Sequence, residues 1–219
     1  MIVGPTVQRY LAEIYRLEAD HGTVTMPMVA DVLEISVQAV SRMIRQLAQD
    51  GWLEHEPYQG VHLTAAGEQV ALQAIRRHRI VEVFFVKIMQ FGWDSVHDLI
   101  EPLEGGINDI VLERMFELTG HPVRCPHGEP IPSKEGVMPH IDDGPLNQVP
   151  AGTASRVSRV RAHDPEKLRY LAELGIVPEA EITVLAHGRF HGPVRVSIGG
   201  QEQLLGAELA KEVFILSQA

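Results

Sequence analysis

Apolar residues recur at spacings of three and four through the first half of the chain, then gather into short β-like runs in the last third. The first spacing predicts an amphipathic helix over Thr6 to Asp20, with Val7, Tyr10, Leu11, Ile14, Tyr15 and Leu17 on one side and His21-Gly22 as its stop. A helix from Pro27 to Leu33 follows, then only Glu34 and Ile35, then a helix from Ser36 to Gln49 in which Val37, Val40, Ile44 and Leu47 form the apolar stripe. Ser36 suits the N-cap of that helix. From Trp52 to Leu63 the pattern gives two short strands about a turn at Tyr58 to Gly60, and Thr64 caps a long helix reaching His78. This is the order of a winged helix-turn-helix.

Helical periodicity continues through Arg79 to Met89, Ser95 to Leu103 and Ile107 to Leu118. Gly120 to Pro150 is rich in Gly and Pro and reads as an ordered loop followed by a linker. Beyond Ala154 short strands at Val157 to Val160, Glu181 to Leu185, Pro193 to Ile198 and Val213 to Leu216, with one helix over Pro165 to Leu174, suggest a small barrel. The fold class is thus mainly α with small β. We expect a winged helix-turn-helix domain over 1–64, a helical domain over 65–145 and a β domain over 146–219.

Composition narrows the classes. With 219 residues and 45% apolar content the chain can bury two or three small cores. No run of roughly 18 apolar residues occurs and the N-terminus does not resemble a signal peptide, so we expect a cytoplasmic protein with no membrane partner. The single cysteine, Cys125, cannot form an internal disulfide; it is either a buried thiol or a metal ligand. A net charge of −10 argues against non-specific coating of nucleic acid. Local charge says something different, because Ser36 to Asp50 carries Arg42 and Arg45 against a single acid.

That segment has the chemistry of a major-groove reader. Gln38 can address adenine through two hydrogen bonds, Ala39 can touch a thymine methyl, and Arg42 can reach guanine or phosphate. Arg45 and Gln46 suit the backbone of double-stranded DNA, and Ser36 and Ser41 complete the DNA-binding set. The arginine run Arg76, Arg77 and Arg79 reads instead as a solvated helix face.

A second constellation follows. His78 and Glu82 are four apart on one helix, and His97, Glu101 and Glu104 occur at i, i+4 and i+7 on another, so each set shares a face. Helices bearing such residues can surround one or two cations. Cys125 and His127 place a thiol and an imidazole close together in a proline-stiffened loop. Pro102, within its helix, frees the carbonyl of Asp98 from a backbone partner. Carboxylates with imidazoles suit Mn(II) or Fe(II), whereas the Cys-His pair raises affinity for Zn(II) or Co(II).

Taken together these residues resemble the diphtheria-toxin-repressor family of metalloregulators, and within it the three-domain manganese transport regulators. The resemblance spans essentially the whole chain. It rests on Met28 to Ser36, on Arg77-His78-Arg79 with Glu82, on Val96 to Asp98, and most specifically on His121-Pro122 through Cys125-Pro126-His127-Gly128 to Pro130-Ile131-Pro132. The C-terminal stretch, with Leu171 to Ile176, is similar to the family's SH3-like (FeoA-like) domain. The resemblance implies a homodimeric repressor, not an enzyme, that binds operator DNA when loaded with metal and represses metal-uptake genes, with Mn2+ first among Mn2+, Fe2+, Zn2+ and Co2+. It also implies the ligands His78, Glu82, His97, Glu101, Glu104, Cys125, His127 and Asp164. Two positions depart from the family pattern: Arg9 stands where the first helix usually supplies Met or Asp, and Gly105 where a His usually follows the Glu. Glu13 is the candidate substitute for the missing first-helix ligand. Three other functions compete: a DNA-binding protein that no longer senses metal, a metalloenzyme built on His97, Glu101 and Glu104, and an adaptor acting through the β domain.

Overall fold

The computed structural model describes residues 3–56 and 60–217. The turn expected at Tyr58 to Gly60 falls largely on residues outside that description. The chain divides into two compact units, Met1–Arg77 with Pro132–Met138, and His78–Ile131 with Pro139–Ala219.

The first unit begins with α1 (Pro5–His21), α2 (Met26–Val32) and α3 (Val37–Gln49), followed by the antiparallel pair β1 (Leu53–Glu56) and β2 (Gly60–Leu63). Glu34 adopts a left-handed φ of 55°, and Ile35 N–H donates to the Ala30 carbonyl, so the chain turns sharply between α2 and α3. Ser36 Oγ accepts from the Ala39 N–H at 3.3 Å as the N-cap. Val40, Ile44 and Leu47 are fully buried with Leu11, Ile14 and Val29. Each such side chain contributes about 1.5–3 kcal/mol relative to exposure. Val37 departs from the expected stripe. It lies in the first turn of α3, before the helix meets the core, and stays 42% exposed.

Thr64 Oγ1 accepts from the Gly67 N–H and opens α4 (Ala65–Lys87), a single helix that carries the expected Arg79 to Met89 segment on without a break at His78. The arginines here are not a solvated face. Arg76 is buried and donates to the Pro132 carbonyl, Arg77 donates to Gln8 Oε1, and Arg79 is buried against Pro130 O and Glu129. Nor is the whole Gly-Pro stretch a free linker. Gln69 and Gln73 amides donate to the Glu135 and Lys134 carbonyls, and with Arg76 they strap residues 132–138 along α4.

In the second unit α5 (Val96–Glu104) and α6 (Asp109–Leu118) pack Val96, Ile100 and Leu112 with Ile80, Val81 and Cys125. The helix α5 does run through Pro102. The C-terminal region holds β3 (Asp143–Pro145), β4 (Ala154–Val160), α7 (Pro165–Glu173), β5 (Glu181–His187), β6 (Val194–Ile198), β7 (Gln201–Leu205), α8 (Ala207–Glu212) and β8 (Val213–Leu216). Among the described residues the six strands of the region expected as a small barrel pair in the order β3-β8-β4-β5-β6-β7, with no pairing of β3 to β7 to close it. The strands β3 and β7 and the helix α8 carry too little apolar periodicity to be read from sequence. An edge strand such as β7 keeps polar residues because one side faces no partner strand. Strand β4 changes partner midway, from β5 over Ala154–Arg156 to β8 from Val157, and its register with β8 shifts between Val157 and Arg159. Ser158 lies at that irregularity, fully buried.

Candidate metal centre and nucleic-acid interface

The centre starts from the helical period. On α4, His78 and Glu82 stand one turn apart with His78 Nε2 at 3.4 Å from Glu82 Oε1. Burial of Val96 and Ile100 fixes the rotation of α5, and this brings His97 Nδ1 to 3.0 Å from the same oxygen. The third element is the loop after α6. Gly128, at φ +86°, and a Gly128 N–H bond to the Cys125 carbonyl close a tight turn that places His127 Nδ1 at 3.4 Å from Glu82 Oε1 and 3.9 Å from Cys125 Sγ. Ligand atoms of His78, Glu82 and His97 lie within 4.8 Å of one another, as do those of Glu82, Cys125 and His127. Glu82 belongs to both groups.

Neighbours set which ring nitrogens face inward. His127 Nε2 donates to the Trp93 carbonyl at 2.7 Å, which leaves Nδ1 to face Glu82, and Trp93 and His97 both stack on its ring. His78 Nδ1 meets Glu104 Oε2 at 2.7 Å, which turns Nε2 toward Glu82. Electrostatics follow. Burial lowers the His78 pKa, but Glu82 and Glu104 outweigh it and raise it to about 9. Burial would raise that of Glu82, yet His78 and His127 hold it well below the usual carboxylate range. Burial, with the neighbouring His127, His163 and His78, drives His97 down to about 3 against the pull of Glu82. Burial, then the Glu82 charge, pushes the Cys125 thiol well up.

Glu82 is 1% exposed, and its ion-pair partners among the described residues are all histidines. Those distances are short, but the geometry around Oε1 satisfies no hydrogen bond, so a buried carboxylate oxygen is left without a donor. Such an oxygen costs about 1–3 kcal/mol or more when charged. The imidazole nitrogens and the thiol gathered around this carboxylate fit a divalent transition metal, which would replace the proton that Glu82 and Glu104 favour on His78 and cross-link the ligand-bearing elements.

The remaining expected ligands are placed differently. Asp164 caps α7, its Oδ1 accepting from the N–H groups of Glu166 and Lys167. Glu101 is exposed, and it and Asp164 belong to neither group. Glu13 forms an ion pair with Arg16. Sequence reading missed His163, whose Nδ1 lies 3.4 Å from His97 Nε2 with the rings edge to face. Its only signal was adjacency to Asp164.

On α3, Gln38, Arg42, Arg45 and Gln46 are exposed, Ala39 and Ser41 half-buried, and Ser36 exposed though engaged in its cap. Met26, Val37, Gln38, Ser41, Arg42 and Arg45 line one open groove. Arg45 Nε rests on the Ser41 carbonyl and Gln46 on Asp50, while Arg42 lines the groove beside Arg45.

A helix-turn-helix with a two-stranded wing, followed by a buried mixed-donor cluster, defines a DNA-binding metalloregulator. Comparison with known proteins agrees. Residues 3–61 match the iron dependent repressor N-terminal DNA binding domain, residues 64–133 the iron dependent repressor metal binding and dimerisation domain, and residues 144–216 the FeoA domain. The chain belongs to the diphtheria-toxin-repressor family, whose members are transcriptional repressors rather than enzymes. It is 29% identical to the iron-dependent repressor IdeR of Mycobacterium tuberculosis over 95% of each chain. A manganese-dependent transcriptional repressor solved in complex with manganese superposes with a TM-score of 0.91 at 34% identity, covering 97% of this chain and all of that one. ScaR with bound Cd2+ superposes at 0.86 with 26% identity, over 97% and 99%.

Proposed function

We propose that this chain is a metal-dependent transcriptional repressor that binds operator DNA as a homodimer through α3, with Mn(II) as its effector, and that it acts in the cytoplasm on metal-uptake genes. The observation that carries the proposal is Glu82 Oε1, buried and unbonded among His78, His97, His127 and Cys125. We assign those five residues as ligands. Glu104 orients His78 through its far nitrogen, as carboxylates commonly do behind a coordinating imidazole.

Residues 1–64 read DNA, residues 65–145 dimerise and bind metal, and residues 146–219 form the FeoA-like domain. Support for dimerisation comes from apolar side chains left in water on the matched dimerisation stretch. Ile110 is 84% exposed and Val123 76%, with Leu103 and Leu118 about half exposed. No described helix is long and apolar enough to cross a membrane.

Affinity order alone would favour Zn(II) over Mn(II) at a site containing thiolate. The choice of Mn(II) rests on the manganese-bound relative and on the acid and imidazole donors, with Fe(II), Zn(II) and Co(II) as competitors. The test is operator binding by chelated protein, titrated with each metal at buffered free concentration. A steep gain with Mn(II) is expected. Equal, tight binding with and without every metal overturns metal dependence, as does an unchanged Mn(II) response in the His78→Ala, Glu82→Ala double variant.

A further inference from the structure

We propose that Glu129 is a positioning residue for the metal centre, holding the Cys125-His127 arm against the C-terminal sheet so that this sheet is part of the scaffold of the site. The inference rests on the ligand assignment above. It begins with how little the arm is tied by itself. The loop's own backbone supplies three bonds: Cys125 N–H to the Glu129 carbonyl and Ile131 N–H to the Val123 carbonyl, which together bridge Arg124 to Pro130, and Gly128 N–H to the Cys125 carbonyl.

Beside the Trp93 carbonyl on His127 and Arg79 on the Pro130 carbonyl, β4 holds the loop at several points. Val160 N–H donates to the carbonyl of His127 itself at 2.8 Å. At the register shift, Ser158 turns its carbonyl and hydroxyl to the Arg124 guanidinium at 3.0 and 3.1 Å, and that guanidinium also reaches the Gly128 carbonyl. A Cβ on Gly128 would stand 2.2 Å from the Ser158 carbonyl oxygen, so strand and turn are already in close contact.

Glu129 joins these parts electrostatically. Its carboxylate takes Arg79 Nη2 at 2.9 Å, Arg159 Nη1 at 3.2 Å and Arg161 Nε at 3.3 Å. Arg79 is one residue past His78 on α4, and Arg159 and Arg161 belong to β4 and its end. One side chain therefore gathers the helix bearing two ligands, the loop bearing two more, and the sheet. Arg159 is held in turn by Asp143, whose side chain is 2% exposed, and both sheet arginines lie over Phe214. The partners of a buried charge cannot be dropped without leaving like charges together, so the arrangement is stiff. Removing the Glu129 charge leaves three guanidiniums facing one another and loosens the seat of the arm beside Glu82, which the Val160, Arg124 and Trp93 contacts then hold without it.

Co(II) binding to the full chain tests this, because thiolate-to-cobalt charge transfer reports Cys125 and ligand-field absorption reports the whole centre. Glu129→Gln is expected to weaken Co(II) binding about 10–100-fold, the range for groups that orient metal ligands, and to lose more of the charge-transfer band than of the ligand-field bands. Glu129→Asp should recover part of both. Circular dichroism of the metal-free variant checks folding. If Glu129→Gln does not fold, Arg161→Gln, at a half-exposed position, should still weaken binding severalfold and dim the thiolate band. Wild-type affinity and band intensity in the folded Glu129→Gln variant, or in Arg161→Gln where that one is needed, overturn the proposal. The ligand assignment fails separately: wild-type protein would then bind Co(II) with no thiolate band, or Cys125→Ser would keep it.

Discussion

The reading face of α3 and the cluster around Glu82 are both built from charged and polar side chains, but they are held in opposite ways. On α3, Gln38, Arg42, Arg45 and Gln46 stand in water on one rigid helix whose other face, through Val40, Ile44 and Leu47, is locked in the core. Their hydrogen bonds stay within the helix and its cap, Arg45 to the Ser41 carbonyl and Gln46 to Asp50, and involve no buried partner. Around Glu82 the donor groups come from α4, α5 and the loop after α6, and one buried oxygen lies within 3.4 Å of three imidazoles. There no group is independent. The difference teaches that DNA contact energies on α3 should add, whereas losses in the metal centre should saturate.

The comparison can be broken or sharpened by substitution. The largest effect is expected from Glu82→Gln, which removes the charge shared by both ligand groups. Metal affinity should fall by more than about 100-fold, beyond the range for merely orienting groups, in a titration with a metal-competing dye. Adding His97→Ala should cost much less than it does alone. Additive losses would break the picture of a coupled centre. Next, Gly128→Ala forces a side chain into left-handed backbone and against Ser158, and should lower the stability of the second unit by about 3 kcal/mol in a denaturant melt.

On the DNA side, Arg42→Ala should cost about 1–3 kcal/mol in operator affinity, read by fluorescence anisotropy, with metal affinity of the free protein unchanged. Arg45→Ala should instead lower the salt dependence of binding by about one ion while weakening all sequences alike. The double variant should show the sum of the two losses. The smallest effect is that of Ser36→Ala, which removes the α3 cap and should cost about 1 kcal/mol of stability.

The α1 to α4 region was legible in the sequence because its signals are local: an apolar period, a Ser cap, a Thr cap and a two-residue gap between helices. Each acts within a few residues, so the order of side chains suffices to place them. The same holds for the His78–Glu82 pair, which the helical period alone puts on one face. Arg76 and Arg79 read as solvated because their acceptors, Pro132 O, Pro130 O and Glu129, lie some fifty residues further along the chain.

The remainder was decided by tertiary structure. Cys125 and His127 were visible as a pair, but that they face Glu82 rather than forming a separate centre depends on the docking of the loop against β4. Asp164 matched a family position and serves as the cap of α7, while His163 beside it faces His97. A helix sets the direction of a side chain relative to its own axis. Which of two adjacent residues in a loop turns inward is set by backbone torsions, and those are fixed by hydrogen bonds to strands and helices that sequence spacing does not bring together. The sequence by itself thus determined the helices, the exposed polar face of α3 and the chemical types of the donors, and only packing decided which donors share one oxygen.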